Sequence, residues 1–213
     1  LNYAANLIKS EYTGTAIIFY GERGDRIELT WSQLRDQVAS ISKKLRDLGI
    51  KPGDRVAGYL PNRPETVIAM LATTSIGGIW SSCSPDLGIS STVDRFGQIK
   101  PKVLFATDGY FYDGKTINSL ISVAEIVKRL PTLKHLEIVA YVNDNPDIRP
   151  LPKAILFREL LEEKASLKCE HLPFNHPLCI LYSSGTTSSP KCIVHGAGGT
   201  LIQHQKVLML LTD

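Results

Sequence analysis

From residue 54 onward, short apolar runs alternate with stretches of helical period, and this alternation restricts the fold more than any other feature of the chain. "DRVAGYL" is an apolar run of strand length that ends at Pro61. Pro64 to Ile76 then reads as a helix, with Pro64 in its first turn. The pattern repeats. "GIWSSC" reads as a strand, Ser90 to Ile99 as a helix, and "KVLFAT" as a strand. Thr116 to Leu130 reads as a helix closed by Pro131, and "HLEIVAYV" as a strand. After a proline-rich loop over 143–152, Phe157 to Lys164 reads as a helix and "PLCILYSS" as the next strand. Strands apolar along their whole length are buried on both faces, and strands separated by helices are joined by crossovers. The chain is therefore expected to be an α/β protein, with a mostly parallel sheet flanked by helices.

The first 53 residues fit the same plan. "TAIIFY" and "RIELT" read as strands. Thr30 and Gln33 form a capping box, Thr30 as N-cap and Gln33 at the third helical position. Leu34, Val38, Ile41, Leu45 and Leu48 follow at spacings of three and four and make one apolar stripe. Gly49 stops that helix, and Pro52-Gly53 turns the chain. No repeat or low-complexity tract interrupts the sequence. The stretches 143–152 and 165–177 read as loops rather than domain boundaries.

Composition narrows the class of partner. Hydrophobic residues make up 43% of the 213 residues, charged residues 21%, and the net charge is +3. With no clustered basic face, no nucleic acid partner is expected. No apolar run reaches the roughly 18 residues of a membrane span. The start, "LNYAANLIKSEY", has no basic segment followed by an apolar one, so no secretory signal is read and a cytosolic protein is expected. The chain also lacks an initiator Met, which fits a trimmed or partial sequence. Cys83, Cys169, Cys179 and Cys192 form no CxxC pair and are expected as free thiols.

The stretch "LYSSGTTSSPKCIVHG" carries the chemistry. It follows an apolar strand, and in open α/β sheets ligands gather at the carboxyl ends of strands. Gly185 lets the backbone turn several N–H groups one way, as in an anion nest. Ser183, Ser184, Thr186, Thr187, Ser188 and Ser189 each carry a hydroxyl, and Lys191 supplies a charge on a flexible stem. Two readings are open on composition alone: a phosphate-binding loop, or a solvated Ser/Thr turn between hairpin strands. Neither GxxxxGK[ST] nor a complete GxGxxG is present.

The motif decides between them by resemblance. "YSSGTTSSPKCIVH" resembles the phosphate-loop signature of the adenylate-forming synthetase superfamily, [ST]-S-G-T-T-G-x-P-K-G, with Ser183, Ser184, Gly185, Thr186, Thr187, Pro190 and Lys191 in register. Ser188 and Cys192 stand where many members have Gly. "GYLPNRPETVIAMLATTSIGGIWSSCSPDLG", "DRFGQIKPKVLFATDGYFYDGK" and "AGGTLIQHQK" are similar to the acetoacetate-activating branch of that superfamily, over essentially the whole chain.

The resemblance implies a ligase of lipid metabolism. Acetoacetate would be activated by ATP to an acyl-adenylate and then passed to CoA, with Mg²⁺ bridging the phosphates. Acetate and propionate ligases, or a non-catalytic nucleotide-binding module, are the alternatives. Residues 1–213 would be part of the large N-terminal AMP-binding domain, without the small C-terminal domain, the ribose-binding acid or the catalytic lysine. No catalytic residue and no metal ligand is therefore expected in this segment. The ATP phosphates would meet Ser183, Ser184, Gly185, Thr186, Thr187, Ser188 and Lys191. Relatives carry a basic pair in the stretch similar to "DGYFYDGK"; Lys115 keeps one charge and Tyr112 replaces the other. Lys115 thus reads either as a CoA contact or as a solvated loop lysine.

Other chemistry-bearing residues have plainer readings. Cys169, His171, His176 and Cys179 lie close together, but their spacing fits no common zinc pattern. Cys192 and His195 fall on opposite faces of a regular strand and so make no nucleophile–base pair. Trp80 reads first as core and second as the wall of an acyl pocket.

Overall fold

In the computed structural model, residues 1–183 and 190–211 are described. A short helix α1 (Tyr3–Leu7) precedes the antiparallel hairpin β1 (Thr15–Tyr20) and β2 (Arg26–Thr30). Helix α2 (Trp31–Asp47), strand β3 (Arg55–Tyr59), helix α3 (Pro64–Ser75), strand β4 (Ile79–Cys83), helix α4 (Ile89–Ile99) and strand β5 (Val103–Thr107) follow. A second hairpin pairs β6 (Gly109–Tyr112) with β7 (Lys115–Asn118). Then come helix α5 (Leu120–Lys128), strands β8 (His135–Val139) and β9 (Ala154–Leu156), a 3₁₀ turn at Phe157–Leu161, strands β10 (Pro177–Ser183) and β11 (Lys191–Gly196), and helix α6 (Ala197–Leu210).

The main sheet has the order β11-β10-β4-β3-β5-β8-β9, and only the β10–β11 pair is antiparallel. The expected mostly parallel sheet is therefore present. Its central strands β3, β4, β5 and β8 are buried on both faces, as their uniform apolarity requires, while β11 at the edge is largely exposed. One face packs Val56, Trp80 and Phe105 under α2 and α3; the other packs Ala57, Leu104 and Ile138 under α4 and α5. Since β4 and β5 lie on opposite sides of β3, the chain reverses its strand order there. That switch point places the loops after β3 and β5 at one crevice.

Local signals explain several boundaries. Gln33 N donates to Thr30 Oγ1 and Thr30 N to Gln33 Oε1, closing the capping box of α2. Gly49 leaves that helix at φ 77°, and Pro64 opens α3. Trp80 is buried against Phe105, 6.3 Å between ring centroids, and over the backbone of Gly58; it is core.

Two expectations need correction. The helix expected over Thr116 to Leu130 begins only at Leu120, because Lys115–Asn118 pairs with β6 through a turn in which Asp113 and Gly114 both have positive φ. The helix expected over Phe157 to Lys164 is a single 3₁₀ turn that ends at Leu161. Among the described residues no helix is long and apolar enough to cross a membrane.

Candidate functional site

Two features occupy the carboxyl edge of the sheet. The first is the end of β10. This strand lies parallel to β4, with Cys179 opposite Trp80, so its carboxyl end shares an edge with those of β3, β4, β5 and β8. Antiparallel β11 returns beside it, and the last rung of the ladder pairs Ser183 with Lys191. The alternation of Ile180 and Tyr182 against Leu181 fixes the register: Ile180 and Tyr182 pack toward α4, while Leu181 is exposed. Tyr182 is anchored by Ser81, whose Oγ lies 3.2 Å from its phenol oxygen, and burial pushes the phenol pKa up. Ser184, Gly185, Thr186, Thr187, Ser188 and Ser189 lie outside the described residues. Of the expected phosphate-binding set, the structure thus places Ser183 and Lys191, as neighbours across one rung. Lys191 is exposed.

The second feature is a cleft of about 330 Å³ at the switch point, lined among others by Arg63, Asp86, Tyr110, Tyr112 and Tyr141. Its floor is a stacked cation. The Arg63 guanidinium lies 4.0 Å from the Tyr141 ring centroid and 5.3 Å from that of Phe19. Glu65 binds it through two contacts of 3.0 Å. Burial works against the charge of Arg63, but the Glu65 carboxylate outweighs it and the pKa is raised. Tyr59 Oη donates to the Pro85 carbonyl at 2.7 Å and holds the loop after β4 to the end of β3; burial pushes its pKa up to about 12. Burial also raises Tyr110 and Tyr141, so these phenols stay protonated at neutral pH. The two hairpins meet at the rim, where Gly114 N donates to Glu22 Oε1 at 2.8 Å and Arg23 stacks on Phe111 at 4.9 Å.

Lys115 pairs with Tyr112 at the tip of the second hairpin and is exposed. Tyr112 lines the cleft, and Lys115 is its cross-strand partner. Lys115 and Lys191 are not brought together. Lys115 lies on the β6–β7 hairpin, a separate sheet from the one that carries Lys191 on β11. The cleft was not legible in the sequence, since it is assembled from the segments after β1, β3, β4, β5 and β8. The one local signal was the aromatic cluster "YFY" beside Asp113-Gly114.

All four cysteines are free thiols. Burial raises the pKa of Cys83 to about 11 and pushes Cys169 and Cys179 up as well, which leaves poor nucleophiles. The imidazole of His176 lies 2.8 Å from the Gly77 carbonyl through Nε2. Cys192 meets Gln98, while His195 lines a cavity of about 420 Å³ on the opposite side with Tyr3 and His204, so Cys192 and His195 are on opposite faces. Among the described residues no group of three or more His, Cys, Asp or Glu side chains could hold a metal ion.

Comparison with known proteins shows the family of the chain. Residues 9–210 match the family described as AMP-binding enzyme. The chain is 47% identical to an acetoacetyl-coenzyme A synthetase of Rhizobium meliloti (strain 1021) and 45% identical to an acetoacetyl-CoA synthetase of Gallus gallus; each match covers 97% of this chain and 32% of the relative. It superposes on the structure of an acetoacetyl-CoA synthetase from Streptomyces lividans with a TM-score of 0.91 at 43% identity, over 98% of this chain and 32% of that one. The chain thus spans about a third of the length of these relatives.

Proposed function

Since the chain belongs to the AMP-binding enzyme family, we propose that the protein is an acetoacetate–CoA ligase. In the first half-reaction the acetoacetate carboxylate attacks the α-phosphorus of ATP. An acyl-adenylate forms and pyrophosphate leaves. In the second, the thiol of CoA attacks the acyl carbon, and AMP leaves. Residues 1–213 form the early part of the large AMP-binding domain in this reading, and the protein acts in the cytosol on small molecules.

The observation that carries the proposal is the Ser183–Lys191 rung at the carboxyl end of β10, which brackets the hydroxyl-rich sequence. A polyphosphate held there loses water and needs replacement donors and a counter-charge. In this reading Ser183, Ser184, Thr186, Thr187 and Ser188 supply hydroxyls, Gly185 a backbone N–H, and Lys191 the fixed charge. The described residues do not fit a protein cage for Mg²⁺; in this reading the cation arrives with the phosphates of ATP. CoA takes the aromatic cleft at the switch point, with Lys115 at its rim beside Tyr112. Aromatic faces there suit a base, and an exposed lysine suits a phosphate.

The test is exchange of labelled pyrophosphate into ATP by the full-length protein. Exchange that depends on acetoacetate, and exceeds that with acetate or propionate, is expected. Equal or greater exchange with acetate or propionate overturns the choice of acid. No exchange with any short-chain acid, alongside measurable ATP binding, favours a nucleotide-binding module.

A further inference from the structure

Helix α4 grips both limbs of the β10–β11 ladder where it ends. Arg95 and Gln98 are one turn apart on one face of the helix. Arg95 stacks on Tyr182, 5.7 Å from guanidinium carbon to ring centroid, and Tyr182 immediately precedes Ser183. Gln98 holds the other limb. Its Nε2 donates to the Pro190 carbonyl at 2.9 Å and to the Asp94 carbonyl of its own helix at 2.8 Å. Its Oε1 accepts from Cys192 Sγ at 3.5 Å. One side-chain amide is therefore bound to the residues on either side of Lys191 and to the helix beneath.

We infer that Gln98 is a positioning residue for Lys191. The inference rests on the reading of Lys191 as the phosphate-facing cation. The Pro190 ring fixes φ at that residue, which leaves ψ as the free torsion before Lys191. The Pro190 carbonyl and Lys191 N belong to one planar peptide unit. The bond from Gln98 holds the carbonyl end of that plane, and the ladder to Ser183 holds Lys191 from the far side. Cys192 turns toward α4, so Lys191 leaves the strand on the opposite face. A long side chain whose root is fixed in this way has fewer positions to abandon when it meets an anion.

The test compares Gln98→Met, which keeps the length without the amide, with Gln98→Ala, which keeps the helix, each in the wild-type and Lys191→Ala backgrounds of the full-length protein. The reaction is followed as acetoacetate-dependent pyrophosphate release. Of the three bonds lost, the neutral one to the Pro190 carbonyl is the one that fixes the root of Lys191, and its loss predicts a rise in KM for ATP of about three- to tenfold in both variants. KM for acetoacetate should stay within about twofold, and thermal midpoints within a few degrees. In the Lys191→Ala background the Gln98 substitutions should add less than about twofold, because the two residues act as one unit. An unchanged KM for ATP in both variants, with Lys191→Ala impaired, overturns the role of Gln98 and leaves the phosphate site standing. So does a full effect that persists without Lys191. A silent Lys191→Ala overturns both.

Discussion

Tyr141 N donates to Asp108 Oδ1 at 2.7 Å, and this bond sets the back wall of the switch-point cleft. Val142 N donates to the same oxygen and Asn143 N to Oδ2, so one buried carboxylate gathers three successive backbone donors just beyond β8. Tyr141 is thereby presented to Arg63. Asp108→Ala would leave three partly buried N–H groups without their acceptor. Each such loss costs about 1–3 kcal/mol, so a destabilisation of roughly 3 kcal/mol or more is expected from urea unfolding, with Asp108→Asn in between. Equal stability of Asp108→Ala and wild type would show that the loop satisfies itself another way.

Glu137 gives the protein a pH-dependent stability. It sits in mid-strand on β8 between Phe105 and Ile155, is 1% exposed, and its Oε2 has no hydrogen-bond partner. Burial pushes its pKa from 4.5 up to about 8; the Lys44 cation on α2 opposes the shift, and Glu159 of the 3₁₀ turn adds to it. The folded state thus holds one more proton than the unfolded state between about pH 4.5 and pH 8. Stability from this group is complete below the unfolded pKa and falls as pH rises through the window, at most about 1.4 kcal/mol per pH unit, then levels off above it. Glu137→Met, of similar length and apolar, should flatten the slope and be the more stable protein at pH 9. Parallel pH–stability curves for the two proteins would sink this assignment.

Gly58 is a packing glycine. A Cβ there would stand 2.7 Å from Trp80 Cζ2 and 2.8 Å from Cη2, and the indole is itself confined by Phe105. Gly58→Ala should destabilise by about 1–3 kcal/mol, the usual range for overpacking, and shift tryptophan fluorescence. Trp80→Phe should be better tolerated in the Gly58→Ala background than alone. Additive losses would mean that the indole is not the obstacle.

Legibility from sequence followed the range of each signal. The α2 capping box needs only Thr30 and Gln33, and the parallel strands announce themselves by apolar runs, so both could be read directly. Thr116–Asn118 reads as helix from sequence because Val123, Ile126 and Leu130 extend a helical period back to it, yet it is strand. The Asp113-Gly114 turn and the β-branched Thr116 and Ile117 were the signals for a hairpin. Helix α6 carries Gly198 and Gly199, poor helix formers, in its first turn. Gly198 is there because a Cβ would lie 2.4 Å from the Phe174 ring. Neither Glu137 nor the cleft has a local signature: one is a charge inside a strand, and the other is built from five separated segments.

The phosphate loop yields the sharpest prediction about chemistry. Lys191 is an exposed cation at the base of six hydroxyl or glycine positions, and a charge-assisted contact to phosphate is worth about 1.5–3 kcal/mol. Lys191→Ala in the full-length protein should therefore slow adenylate formation by about ten- to a hundredfold, since each ~1.4 kcal/mol is a factor of ten. Thr187→Val removes one neutral donor among several and should cost less. Ser188→Gly, which restores the residue of the superfamily signature, should be tolerated. Residues 1–213 span about a third of the relatives' length, so on their own they are expected to release no pyrophosphate from ATP and acetoacetate. Pyrophosphate exchange measured on each folded variant orders the series. If Lys191→Ala exchanges at the wild-type rate, the hydroxyls are a solvated turn, and the phosphates of ATP bind elsewhere on the sheet edge.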